Sequence, residues 1–296
     1  MTMNRVDLEK ILSSQETILE FLVEKKLLKT NVLCNICSRS MNIRKYKSND
    51  GYTWRCSNSL CNGRKSIRKD SIFQNSTLEI KIILLIVFEW CCDTKAQICA
   101  TNYHINIDTV LKWYEIIRTH SINYYNTVHE KEIGGEEQII EVDESQLGRR
   151  KYHPGRKRNE VWVFGAINRN NKSEIYLEPV KNRSRGTLLN LIYGYIKQNS
   201  IIVSDSWKAY SDLNIHLPEK NFQHYVINHK MNFVDPQNPE IHTQNIENLW
   251  SRLREFLRNK GKNYRINLNQ YLEEFKIRRY FDDNLFDFVI NSFKIL

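Results

Sequence analysis

Apolar positions follow one period in the first half of this chain and another in the second. Between residues 5 and 28, Val6, Ile11, Ile18, Leu19, Leu22 and Leu27 recur at helical spacing, which predicts an amphipathic helix or a helix pair. Residues 32–70 carry no such stripe; cysteines and basic residues fill them instead. From Ser76 or Thr77, either of which can cap a helix, the helical pattern returns and runs to about Trp90. A short helical segment at 94–100, a turn near 102–104 and a longer segment at 107–125 follow, the last with Val110, Leu111, Tyr114 and Ile117 apolar. That succession predicts a helix-turn-helix, and an ordinary helical hairpin has the same pattern.

Gly134-Gly135 reads as a hinge, and beyond it the texture becomes strand-like. Strands are predicted at 138–142, 161–168, 173–180, 201–204 and 223–228, with helices at 184–198 and 242–258, a proline-containing loop at 231–241 and closing helices at 267–279 and 283–293. Three strands in succession, a helix, then further strands and helices suit an α/β sheet of mixed direction.

Composition narrows the class. The 296 residues are 41% hydrophobic and 26% charged, ordinary for a globular protein, and 10 Gly with 5 Pro argue against long disordered stretches. A formal charge of +10 favours a polyanionic partner. The excess is local: residues 34–69 hold Arg39, Arg44, Lys45, Lys47, Arg55, Arg64, Lys65, Arg68 and Lys69 against Asp50 alone. The apolar run 80–90 contains Lys81 and Glu89 and is about half of the roughly 20 residues a membrane span needs. No signal-peptide pattern opens the chain, and seven cysteines do not make a secreted disulfide framework. A reduced, intracellular protein with no membrane partner is expected.

Cys34-Asn-Ile-Cys37 and Cys56-Ser-Asn-Ser-Leu-Cys61 form two knuckles separated by 18 residues. Four thiolates so spaced can surround one structural Zn²⁺, folding a segment too polar to build its own core. Redox thiols are the other reading. Cys91, Cys92 and Cys99 fall in apolar helical patterns and are expected in the core.

Three carboxylates carry the candidate chemistry. Asp143 ends Gln138-Ile-Ile-Glu-Val-Asp, Asp205 ends Ile201-Ile-Val-Ser-Asp, and Glu247 lies at the start of an amphipathic helix. Two strand-end aspartates and a helical glutamate are suited to two Mg²⁺ or Mn²⁺ ions, which in phosphoryl transfer sit about 4 Å apart. Asp143 is followed by Gly148-Arg-Arg-Lys-Tyr-His-Pro-Gly-Arg-Lys-Arg158, in which Arg149, Arg150, Lys151, Arg156, Lys157 and Arg158 are candidate phosphate contacts or simply a solvated loop. After Asp205, Trp207 is expected to pack and Lys208 to meet a phosphate. Arg254 stands seven residues beyond Glu247, on its helical face, while Trp250 and Leu253 read as core.

Gly51-Tyr-Thr-Trp-Arg-Cys56, Val142-Asp-Glu-Ser145, Ser204-Asp-Ser-Trp-Lys-Ala-Tyr210 and His242-Thr-Gln-Asn-Ile-Glu-Asn-Leu-Trp-Ser-Arg-Leu-Arg254 resemble the Merlin family of cut-and-paste DNA transposases. The related bacterial ISXO2-like insertion-sequence transposases share this motif order. The resemblance implies an RNase H-like catalytic domain with a DDE triad falling on Asp143, Asp205 and Glu247; the zinc ribbon and the helical, helix-turn-helix-like region before it are read from the cysteine spacing and the apolar pattern. The expected boundaries are 1–30 for an N-terminal helical segment, 31–72 for the ribbon, 73–133 for the helical region and 136–296 for the catalytic domain. Relatives often carry Lys where Arg254 stands, and some replace the glutamate by Asn. The implied partners are double-stranded DNA (terminal inverted repeats and target) and a second copy of the chain. A Merlin-like protein would work in a nucleus, a bacterial relative in cytoplasm. Two other readings stay open: a catalytically silent zinc-ribbon DNA-binding regulator, and an RNase H-like nuclease that cuts without joining.

Overall fold

Two short helices stand at the N-terminus because polar Ser13 and Ser14 interrupt the stripe. The first, α1 (Arg5–Ile11), starts at Asn4, whose side chain accepts from the Asp7 N–H; the second, α2 (Gln15–Glu24), starts with a capping box between Ser14 and Thr17. The computed structural model describes residues 3–148, 161–227, 242–261 and 264–295, and the expected loop at 231–241 lies outside them. The chain divides into two compact units, 1–124 with 281–296, and 125–280. Gly134 and Gly135 thus lie inside the second unit, both with positive φ, and a side chain on Gly134 would strike Ser200 Oγ at 2.6 Å.

The first unit continues with an antiparallel sheet of β1 (Met41–Lys45), β2 (Tyr52–Cys56) and β3 (Arg64–Ser66). Then come α3 (Ile80–Cys91), α4 (Ala96–Asn102) and α5 (Ile107–Val128). The chain turns between α4 and α5 at His104, held at φ 52°. The apolar run 80–90 is the buried α3, and among the described residues no helix is long and apolar enough to cross a membrane. Cys99 is buried as expected, Cys91 is half-buried, and Cys92 is exposed rather than in the core.

In the second unit β4 (Ile139–Leu147), β5 (Val161–Asn168) and β6 (Ile175–Val180) form an antiparallel meander. Helix α6 (Arg185–Tyr195), capped by Ser184, leads to β7 (Ile201–Asp205), which lies parallel to β4; after the short α7 (Leu213–His216), β8 (Gln223–Ile227) lies parallel to β7. The order β6-β5-β4-β7-β8 with these directions is an RNase H-like mixed sheet, as expected. Two helices follow, α8 (Gln244–Asn259) and α9 (Leu268–Phe281).

Strand alternation sends Ile140 and Val142 into one core with α6, and Leu147 and Val163 into another with Ile246, Leu249, Trp250 and Leu253 of α8. The sheet is therefore covered on both faces, which accounts for the nearly continuous apolar runs in its strands. The last helix, α10 (Leu285–Ser292), belongs to the first unit and packs on α3, where Phe88 and Phe286 meet edge to face.

Candidate active site

Odd-numbered residues of β4 face α8, and three of them bond to it in sequence. Glu141 accepts from the Ile246 N–H at 2.9 Å and from Asn245 Nδ2 at 2.7 Å. Asp143 Oδ2 accepts from Trp250 Nε1 at 2.9 Å, and Ser145 Oγ from Arg254 Nη2 at 2.6 Å. Two strand residues advance about 6.6 Å and four helical residues about 6 Å, so the steps 141, 143, 145 match 246, 250, 254. The Asp143 position depends on this match. It also depends on Gly165, its cross-strand partner: a Cβ there would meet the Trp250 ring at 2.5 Å.

Glu141 is fully buried and also accepts from Arg169 Nε at 3.0 Å. A carboxylate carried this far from water needs such a full set of partners. It sits at the N-terminus of α8, where Thr243 makes no side-chain cap, and takes over the cap's role. Glu141 thereby fixes where the helix begins, and with it the position of Glu247 in the first turn.

Asp143 lies in the middle of β4 and not at a strand end as the sequence suggests, because β4 continues against β5 as far as Leu147↔Val161. What ends there is the pairing with β7, whose last register pair is Glu141↔Val203. Asp143 and Asp205 each stand two residues past that pair, so they lie side by side on one face. Carboxyl ends of parallel strands, where the chain leaves to opposite sides, are where open α/β sheets bind ligands. Asp205 Oδ1 accepts from the Trp207 N–H at 3.0 Å, which holds the carboxylate in the turn after β7.

Asp143, Asp205 and Glu247 line one open cleft of about 1230 Å³. Arg183, Arg254 and Arg258 line it too, and Glu247, Ser251, Arg254 and Arg258 form a stripe along α8. The stripe is solvent-exposed, Glu247 included. The three acids do not draw together into a tight ligand group; among the described residues only the four cysteines do. The donor set nonetheless fits hard cations. Burial pushes the neighbouring Glu144 carboxyl up to about 7, and the charges of Asp143 and Asp205 push it the same way against Tyr210 and Arg183. Glu144 points to the other face of β4, bonded to the Tyr210 hydroxyl and 3.7 Å from Arg183.

Lys208 is exposed beside the cleft without lining it. Arg149, Arg150, Lys151, Arg156, Lys157 and Arg158 lie outside the described residues. Trp207 does not pack in the core; it is 41% exposed. Glu141, Trp250 as a donor, Arg183 and Arg258 escape the sequence reading. The signals were a Gly inside a strand and an acid two residues before Asp143.

The cysteines sit in the first unit. Cys34, Cys37, Cys56 and Cys61 bring their sulfurs within 4.8 Å of one another, with Cys34–Cys61 at 3.7 Å and Cys37–Cys56 at 3.3 Å. Tetrahedral thiolates about 2.3 Å from a Zn²⁺ stand at this kind of separation. The N–H groups of Ile36 and Cys37 hold the Cys34 thiol down to about 7. At Cys56 the Asn58 N–H pulls the same way, but burial and the Cys37 hydrogen bond outweigh it and push the thiol up to about 12. Gly63 makes room, since a Cβ there would lie 2.4 Å from Cys34 Sγ. Four sulfurs would fill a tetrahedral centre, leaving no open position for chemistry.

Residues 127–279 match the family model described as the ISXO2-like transposase domain. The chain is also 29% identical over 86 residues to a transposase-like protein of Haemophilus influenzae; the match covers 29% of this chain and 64% of that protein, less than two thirds of its length. Among solved structures it is similar to the catalytic core domain of BIV integrase, at 10% identity over 45% of this chain and 80% of that one, with a TM-score of 0.32. It is similar as well to the Mos1 transposase in its paired-end complex with the left transposon end, at 11% identity over 71% of this chain and 74% of that one, with a TM-score of 0.33.

Proposed function

The chain belongs to the ISXO2-like transposase domain family, and from that premise we propose that it is a DNA transposase that binds terminal inverted repeats, cuts at them and joins the freed end to target DNA. The observation that carries this reading is the pair Asp143 and Asp205, adjacent on one sheet face, sharing a cleft with Glu247 and three arginines. Asp143, Asp205 and Glu247 would hold two Mg²⁺ or Mn²⁺ ions, which supply activation of water, then of a 3′-hydroxyl, and stabilisation of charge on the phosphate. Trp250 and the Trp207 N–H orient the two aspartates from outside. Arg254, fixed by Ser145, and Arg258 present guanidinium groups where the DNA backbone would pass. Lys208 extends that positive surface, and Arg149, Arg150, Lys151, Arg156, Lys157 and Arg158 are proposed as further phosphate contacts. The Cys34, Cys37, Cys56 and Cys61 centre would hold a structural Zn²⁺, and the basic ribbon and the α4–α5 pair would read the repeat. Joining two ends calls for a homodimer. The narrower Merlin assignment is part of this proposal.

Labelled terminal-repeat DNA with Mg²⁺ tests it. Wild type should cut and transfer strands, and Asp205→Asn should do neither while still binding. Identical behaviour of the two proteins would sink the catalytic reading. Binding without cutting would point to a regulator, and cutting without joining to a nuclease.

A further inference from the structure

Beside Asp205, three residues that the triad does not use come together. The Arg183 guanidinium lies 3.9 Å from the centre of the Trp162 ring and 4.4 Å from that of Trp207. Trp207 is held at two further points: its backbone N–H donates to Asp205 Oδ1 at 3.0 Å and its indole N–H reaches the Arg183 carbonyl at 3.5 Å. Trp162 and Arg183 line the cleft itself. Trp207 is nevertheless 41% exposed.

An exposed tryptophan fixed at three points is unusual, because large apolar rings normally gain their energy by burial. With one face against a guanidinium, its remaining surface is open and already ordered, so a flat ligand stacks there at little entropic cost. Arg185 and exposed Lys208 stand beside this ring and can meet the phosphate of a nucleotide whose base lies on it, while Glu144 pairs Arg183 and Asp205 holds the Trp207 N–H. A base within a duplex has both faces covered by its neighbours. Away from a duplex end, a base must leave the stack to lie on such a ring.

We propose that Trp207, backed by Arg183 and Trp162, is a stacking platform for one unpaired nucleobase of the strand whose phosphate lies at Asp205. The platform rests on the transposase reading, and it gives the sequence Asp205-Ser-Trp207 a purpose: the carboxylate and the ring are tied by a hydrogen bond, so base and phosphate are placed together. The strand must open locally at the cut, and Trp207 lowers the cost of keeping it open.

The test uses the full chain in Asp205→Asn form, which cannot cut but keeps the oxygen that accepts from Trp207. It compares a duplex with one bulged 2-aminopurine against the same duplex fully paired. The bulged DNA should bind roughly 5- to 100-fold tighter, the range expected for one base on one aromatic ring, with 2-aminopurine fluorescence quenched. Adding Trp207→Ala should abolish both preference and quenching, whereas Trp207→Phe should keep most of each. Equal binding of the two DNAs, or a preference that survives Trp207→Ala, overturns the platform. Mg²⁺-dependent cutting by the Asp205 protein is measured in parallel: cutting without the preference removes the platform alone, and the preference without cutting removes the catalytic reading alone.

Discussion

In the ribbon, four thiols from one short stretch stand within 4.8 Å of one another; in the second unit, acids at 143, 205 and 247 line one cleft without closing to that distance. Local turns build the first arrangement. The chain between Cys34 and Cys61 folds back on itself through β1 and β2, and N–H groups of Ile36 and Asn58 point at sulfur, so the ligands are set by neighbours in sequence. The second arrangement is built by supports that are themselves distant: Trp250 for Asp143, and Glu141 for the helix that carries Glu247. A closed ligand cluster suits an ion that stays and stabilises. An open set of acids, rigid behind and exposed in front, suits ions that must share their coordination with a moving phosphate.

The difference predicts a graded series of effects. Cys34→Ser should be the most severe, since structural zinc contributes roughly 10–16 kcal/mol of apparent folding free energy to a small domain. Zinc content should fall from one ion per chain to near none, with the ribbon losing resistance to limited proteolysis; a wild type that binds no zinc would dissolve the comparison. Next, Glu141→Gln removes the charge that pairs Arg169 and turns an amide NH2 toward either the Arg169 and Asn245 donors or the Ile246 N–H, at a cost of about 3–5 kcal/mol in a denaturant melt. A loss below about 1 kcal/mol would mean that α8 is anchored elsewhere. Trp250→Phe keeps most of the ring's packing but removes the donor to Asp143, a bond to a charged group worth about 1.5–3 kcal/mol of stability; the melt should shift by no more than that, and strand cutting should fall at least tenfold. The smallest effect belongs to Arg254→Gln: loss of one phosphate contact should lower the slope of log affinity against log salt by about 0.9 and weaken binding a few-fold.

How much was legible in the sequence follows the same division. The cysteine knuckles were readable because their chemistry is local, and so was Asp205, which ends β7 where its apolar run ends. The strands of the meander and α6 were predicted within a few residues. Asp143 was singled out as a candidate but misplaced at a strand end, because nothing in residues 138–147 says that the sheet loses one neighbour after Glu141 while keeping the other. Trp250 was read only as core; its indole N–H to Asp143 spans 107 residues and is invisible to periodicity. Gly165, small in the middle of an apolar strand, was the one local trace of that contact. Trp207 was expected to pack, but a sequence pattern does not show that it does so on Arg183 while staying 41% exposed.

The central claim is that Asp143, Asp205 and Glu247 act as one ligand set although they stand apart. Single-turnover cutting of terminal-repeat DNA in Mg²⁺ by Asp205→Asn, Glu247→Gln and the double variant tests it most directly. Groups that work as a unit are strongly non-additive, each single loss costing nearly as much as all together. Each single variant should therefore cut at least about 10³-fold more slowly than wild type, with the double variant no slower than the worse of the two. Wild-type cutting by either single variant, or a double-variant loss equal to the product of the singles, would contradict the account.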